Sequence, residues 1–245
     1  MREAGRLVGE VLTELAGHVA VGVSTGDLDA LAEKRIRQAG ATPAFKGYHG
    51  YPAAICASIN DEVIHGIPSG RRLLQGGDII SIDVGAALDG YFGDSAITLP
   101  VGAVSEQAAT LLRVTDEALQ KAIEQVRPGS RVSDISAAVQ RHVESHGFSV
   151  VREFVGHGIG QKMHEEPQVP NYGEPGRGPR LTEGMVLAIE PMVNAGKAAV
   201  KVLADGWTAV TRDGSLSAHF EHTVAVTAGD PWILTAREVP AAVRR

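Results

Sequence analysis

The sequence predicts an α+β protein of two similar half-domains related by a pseudo-two-fold axis. Three observations carry this reading. Residues 77–96, GDIISIDVGAALDGYFGDSA, read as two strands joined by an Asp89-Gly90 turn, and Ile79, Ile80, Ile82, Val84, Tyr91, Phe92 and the following Ile97 mark buried faces. Ala4, Leu7, Val8, Val11, Leu12 and Leu15 recur at helical spacing near the N-terminus. The third is an ungapped internal match at a fixed offset of 107 residues.

The match justifies the elements in order. Glu10, Leu12 and Val19 of the first helix fall on Glu117, Leu119 and Val126 of a third. Gly22, Asp27, Leu28, Ala30, Ile36 and Gly40 fall on Gly129, Asp134, Ile135, Ala137, Val143 and Gly147, a loop and a second helix in each half. Leu74, Gly77, Ile79, Ile82 and Asp83 fall on Leu181, Gly184, Val186, Ile189 and Glu190, so each half ends in strands near an acidic residue. A repeat this long is not a solenoid unit. The expected organisation is one domain over 1–245, with halves at roughly 1–105 and 106–245.

Composition narrows the class. The formal net charge is −6, with no block of Lys and Arg to mark a nucleic-acid or anionic-membrane surface. No run of 18 apolar residues exists to span a bilayer, and the interspersed charges of MREAGRLVGEVLTELAGHVA do not make a signal peptide. Cys56 is the single cysteine, which excludes an internal disulfide and a cysteine-based zinc site. A cytoplasmic monomer is expected.

Asp83 and Asp94 stand inside strands, where a carboxylate is depleted and costly to bury unpaired. With Asp89-Gly90 at the centre of the turn, Leu88 pairs with Tyr91 and Gly85 with Asp94. Asp83 is then a diagonal neighbour of Asp94 on the same face, about 7–8 Å away. The repeat adds Glu190. YFGDSAITL also resembles HFEHTVAV, which aligns Asp94 with Glu221 and inserts 20 extra residues between Glu190 and Glu221. Four converging carboxylates repel one another unless they share protons or bind cations.

Nearby histidines favour cations. VGHGIGQKMHEEP (155–167) carries His157 and His164 amid glycines that would let backbone approach a site, and NDEVIHGIP places His65 before a Gly-Ile-Pro turn. The glycine run lacks the spacing and the following helix of a phosphate loop. A lone histidine is more often a core or surface residue than a ligand, and His18, His49, His142 and His146 are read that way. The combination Asp83, Asp94, His157, Glu190 and Glu221 instead suits Mn²⁺, Fe²⁺, Co²⁺ or Zn²⁺ in a two-metal hydrolytic site.

At these residues the sequence resembles the type I methionine aminopeptidases, of the pita-bread fold. The matching stretches are GYHGYPAAICASINDEVIHGIP (47–68), GDIISIDVGAALDGYFGDSA (77–96), GHGIGQKMHEEPQVPNYG (156–173), EGMVLAIEPMV (183–193) and DGWTAVTRDGSLSAHFEHTVAVT (205–227), in the family's order. The resemblance covers nearly the whole chain. It implies a catalytic domain with a central antiparallel sheet covered by helices, and two divalent ions (Co, Mn, Fe or Zn). Asp94 and Glu221 would bridge the ions, Asp83 would be a further ligand, and His157 and Glu190 would hold one ion. It further implies a cytoplasmic metalloprotease that excises the N-terminal methionine of nascent chains at the ribosome and favours a small second residue.

By the same resemblance His164 polarises the scissile carbonyl, His65 contacts the scissile amide, and Glu190 shuttles the proton. Phe45, Tyr48, Tyr51, Cys56, Met163 and Trp207 would line the methionine pocket. Met163 departs from an expected aromatic, and His219 from an expected Gln. His219 alternates with Glu221 along the strand, which would let it adjust metal affinity from behind the ligands. The chain starts on its first helix, so no extension for a ribosome or partner is expected. Two rivals are an X-Pro peptidase, which carries an additional N-terminal domain, and an inactive pita-bread adaptor for ribosome or nucleic acid, which loses ligands and gains basic patches.

Overall fold

The computed structural model describes residues 1–237. The end of the expected second half, 238–245, lies outside the described residues. Four α-helices order the described residues: α1 (Arg2–His18), α2 (Thr25–Gln38), α3 (Glu106–Ile123) and α4 (Val132–Ser145). Leu7, Val8, Val11, Leu12 and Leu15 of α1 are buried, so the apolar stripe faces inward, onto the strands Ile79–Leu88 and Tyr91–Pro100. Each such side chain contributes about 1.5–3 kcal/mol of burial.

The acids at N3 explain part of the repeat. Ser24 caps α2: its Oγ accepts the Asp27 N–H (3.1 Å), and Asp27 Oδ2 accepts the Ser24 N–H (3.2 Å). In α4 Asp134 Oδ2 accepts the Arg131 N–H at 2.7 Å. Each acid also meets the positive end of its helix.

All strand pairs are antiparallel. One sheet orders Thr42–Pro43, Ile79–Leu88 and Ile55–Ile59, with Tyr91–Pro100 also on Ile79–Leu88. A second orders Trp232–Ile233, His222–Ala225, Val186–Ile189, Gly156–Gly158 and Glu165–Val169. Two three-stranded sheets complete the set. The helices and three of the four sheets share one continuous apolar core, while the sheet of Val200–Val202, Ala209–Thr211 and Glu62–Ile64 packs in a second cluster with Val151 and Met192.

The offset recurs in backbone contacts. Ser24 bridges Leu73 and Arg131 bridges Arg180, while the Gly22 N–H donates to Leu74 O (2.8 Å) and the Gly129 N–H to Leu181 O (2.9 Å). The last strands differ from expectation. Ile79 pairs with Pro100 and Val186 with Ala225, so these strands match at 125 residues and not 127. Asp94 therefore corresponds to His219, and Glu221 to Ala96. The expected alignment followed side-chain chemistry and slipped by two residues, which the period of a strand tolerates because the face is kept.

Hydrogen bonds at the centre fix this register. Thr223 Oγ1 accepts the Asp94 N–H (3.1 Å) and donates to Asp94 O (2.7 Å). Thr98 Oγ1 accepts the His219 N–H (2.8 Å) and donates to His219 O (2.8 Å). These are the same contact made twice, 125 residues apart. Between them the Glu221 N–H donates to Ala96 O at 2.9 Å.

Candidate metal centre and substrate cavity

The first hairpin places two carboxylates as its turn dictates. Asp89 and Gly90 both take positive φ (51° and 79°), Leu88 faces Tyr91, Gly85 faces Asp94, and Asp83 faces Ala96. Asp83 and Asp94 so share a face. Glu190 follows the strand Val186–Ile189 directly, and Glu221 stands between the strands Ser217–His219 and His222–Ala225. His157 is central in Gly156–Gly158, opposite Ala188.

These five side chains converge. His157 Nε2 lies 3.5 Å from Glu190 Oε1 and 3.9 Å from Asp94 Oδ2. One donor atom each from Asp94, His157 and Glu221 falls within 4.8 Å of the others. Burial pushes Asp83 up to about 7. Burial, then the Glu221 and Asp83 charges, raises Asp94 well above the carboxylate range. Burial, then carboxylate neighbours, does the same for Glu190 and Glu221.

The donor set fits divalent cations. Asp83 Oδ1, Asp94 Oδ1 and Glu221 Oε1 are buried without a hydrogen-bond partner. His157 Nδ1–H donates to Gly158 O at 2.9 Å, which leaves the Nε2 lone pair facing the carboxylates. Burial also holds this imidazole neutral, near 4. A lone pair aimed at carboxylate oxygens is repulsive until a proton or a cation lies between them, and the fixed tautomer leaves Nε2 open to a metal.

A cavity of about 220 Å³ opens on this cluster. Asp83, Asp94, His157, Glu190 and Glu221 line it together with His65, His164, Phe45, Tyr48, Tyr51, Cys56, Met163 and Trp207. Ile64 and the exposed His49 complete the lining, so the surface residue expected at 49 borders the cavity. A single histidine in GYHG carries no spacing signal. Its backbone is the clue: His49 (φ 49°) and His65 (φ 60°) both hold the left-handed conformation, a strain that marks functional loops.

The apolar walls form a cluster separate from the main core: Tyr51, Ala53 and Cys56, with Phe45, Ile67 and Trp207 against them. Tyr51 Oη donates toward Gly66 O (2.9 Å) and Ile55 O (3.1 Å), and its ring meets Trp207 edge-on at 5.1 Å. Tyr48 Oη lies 2.8 Å from His164 Nδ1. Gly85 keeps the space open, because a Cβ there would stand 2.7 Å from Phe45 Cε1 and 3.0 Å from Met163 Cε. We expect Gly85→Val to raise KM for a methionyl substrate about tenfold with kcat less affected, measured by steady-state kinetics.

The glycines around His157 serve another purpose than expected. A Cβ on Gly156 would lie 2.4 Å from Ala188 O, and one on Gly158 would lie 2.3 Å from Glu166 O. They allow close approach of neighbouring strands, which seats His157 among them. Ligand approach is not what they provide.

Behind these five side chains stand residues that motif reasoning missed. Asn171 Nδ2 donates to Glu190 O (3.0 Å), and Arg237 donates to Glu221 O (3.2 Å), Ala96 O (3.0 Å) and Ser95 Oγ (2.7 Å). His219 is buried, with Nε2 unpartnered at 3.9 Å from Glu190 Oε2. It does not line the cavity, and it sits at the pseudo-symmetric position of Asp94.

The comparisons agree with this geometry. The profile of metallopeptidase family M24 matches residues 1–228. The chain is 58% identical over 227 residues to a protein of Bacillus subtilis named methionine aminopeptidase 1, covering 93% of this chain and 91% of that one. It superposes on the crystal structure of a methionine aminopeptidase from Thermotoga maritima with a TM-score of 0.95, at 48% identity, covering 97% and 95% of the two chains. A prolidase of Pyrococcus horikoshii shares the fold alone, at TM-score 0.78 and 23% identity, and this chain spans 61% of its length. The architecture is the pita-bread fold, and the chain belongs to metallopeptidase family M24.

Proposed function

We propose that the protein removes the N-terminal methionine from peptides and nascent proteins by hydrolysing their first peptide bond. What carries this reading is one cavity with two chemistries: five metal-type donors at its buried end, and an apolar wall with room for one long side chain. The B. subtilis and T. maritima proteins bear the matching name. The X-Pro reading has only the fold likeness, and the adaptor reading fails to explain why all five donors are present.

Asp83, Asp94, His157, Glu190 and Glu221 would hold two divalent ions. When bound, such ions supply Lewis acidity, bringing the pKa of water toward neutrality and polarising a carbonyl. The rest belongs to the chain. The substrate's free α-amine faces the acidic end, so a blocked terminus loses that contact. Phe45, Tyr51, Cys56, Met163 and Trp207 receive the methionine side chain. Tyr48 orients His164 through Nδ1, leaving Nε2 to hydrogen-bond the scissile carbonyl oxygen. Burial holds His65 neutral, near 4, in position to contact the scissile amide. Glu190, whose proton affinity burial has raised, takes a proton from the attacking water and delivers it to the leaving amine.

Its setting in this reading is the cytoplasm, as a monomer acting on chains emerging at the ribosome, with a preference for a small second residue. The net charge of −6 argues against direct nucleic-acid binding. No helix among the described residues is long and apolar enough to cross a membrane.

The test is methionine release from Met-Gly-Ser by metal-stripped protein, with Mn²⁺, Co²⁺, Fe²⁺ or Zn²⁺ added back singly. Release from the free peptide and none from its N-acetylated form is expected. Peptide binding without release under any metal would overturn the enzyme reading and favour the adaptor. We further expect His164→Ala to lower kcat about 10²-fold with little change in KM.

A further inference from the structure

Away from the cavity, the described residues hold a second cluster of metal-type donors. Glu117 on α3, His142 on α4 and His146 at the end of α4 each offer an atom within 4.8 Å of the others. We propose that these three bind a zinc-type divalent cation that pins α3 to α4 on the outer surface.

The spacing makes the pair. Residues four apart share a helix face, and the His142 and His146 rings lie with centroids 4.7 Å apart. Glu117 comes from the neighbouring helix, with Oε2 at 3.0 Å from His142 Nε2. Two donors at 2.0–2.2 Å from a tetrahedral zinc stand about 3.3 Å apart, so zinc replaces the Nε2 proton that now joins the pair, this proton moving to Nδ1 through water, and the pair opens by only a few tenths of an ångström. Arg113 Nη1 donates to the other oxygen, Oε1, at 2.8 Å and fixes the carboxylate's orientation.

His146 is prepared as a ligand. Its Nδ1–H donates to His142 O at 2.8 Å, with Ser145 Oγ at 3.3 Å, so the neutral ring carries its lone pair on Nε2. Metal-bound histidines make this same second bond to a carbonyl. The side chain is exposed, so water has access to complete the shell of an ion bound there. Two imidazoles and a carboxylate suit zinc, copper or nickel and not magnesium or calcium.

The first half is an internal control. Arg6 and Glu10 repeat the Arg113–Glu117 pair 107 residues earlier, but Arg35 stands at the position of His142 and Ala39 at that of His146. Arg35 turns instead to Glu14. The shared ion pair is thus a helix-surface feature, and the two histidines are what the second half adds.

The test compares the full chain with His146→Ala, the double variant H142A/H146A, and Glu117→Gln. Each is dialysed against micromolar Zn²⁺ and analysed for bound zinc and thermal midpoint; the acidic centre contributes equally to all four. The parent is expected to retain one zinc per chain more than the two histidine variants, and to gain a few degrees more on zinc addition. Glu117→Gln should weaken that extra zinc about tenfold. Peptidase activity under saturating Mn²⁺ or Co²⁺ should be the same in all. Cu²⁺ bound at the site should show nitrogen coupling from two imidazoles by electron paramagnetic resonance. Equal zinc content and equal midpoint shifts in parent and variants would overturn the proposal, as would an extra zinc held only at millimolar concentration.

Discussion

Asp94→Asn should abolish methionine release, lowering kcat/KM by roughly 10³-fold or more, and should at the same time stabilise the metal-free protein. The first effect follows from the position of Asp94 among the donors, where an amide binds a divalent ion far less well than a carboxylate does. The second follows from electrostatics. Asp94 is buried beside Glu221 and Asp83, and each of these charges raises its proton affinity. An amide of the same shape removes one member of that repulsive set and donates a hydrogen bond to its neighbours. Thermal melts in EDTA and metal titration calorimetry check the two effects separately. A metal-free variant that melts below the parent would mean that Asp94 is a structural anchor and not a strained ligand.

Metal removal should make stability fall as pH rises from about 6.5 to about 7.5, through the folded value of Asp83. Asp83 is raised to about 7 in the folded chain, and Asp94, Glu190 and Glu221 are raised above their ordinary values. An acid whose folded pKa exceeds its unfolded one stabilises the fold at low pH. That stability is lost as pH climbs through the folded value. The buried histidines act in the opposite sense, since burial lowers His157 and His65 to about 4 and His219 to about 3. Their influence is exhausted above about 6.5, where the unfolded imidazole is also neutral. Only the carboxylates remain in the upper window. The thermal midpoint of EDTA-treated protein should drop there by several degrees, and Mn²⁺ or Co²⁺ should abolish the drop. A midpoint that stays flat would mean that the carboxylates ionise freely without a cation.

Local rules made the first hairpin readable. The Asp-Gly pair selects a two-residue turn, the turn sets the register, and the register puts Asp83 and Asp94 on one face. The repeat was readable because helix caps and core positions need the same residue types in both halves, as Asp27 and Asp134 show. Glu221 was found as a residue but placed two positions off, because chemical likeness to Asp94 outweighed a ladder that only backbone pairing reveals. Asn171 and Arg237 were missed for a common reason. Each acts across long stretches of chain, as Arg237 does on Ser95, and no periodicity or spacing records such contacts. The pocket residues came from family resemblance, since an aromatic on a loop looks the same in a core and in a cavity wall.

The twin threonine contacts at the pseudo-axis join strands from opposite halves, and the donors are divided across that seam. Asp83 and Asp94 are translated early; His157, Glu190 and Glu221 follow only with the second half. A chain still under synthesis thus presents two carboxylates alone until residue 157 emerges, and the full set of five only when residue 221 has left the ribosome. On the proposed reading, the complete metal centre can assemble only after most of the chain's own backbone has been made.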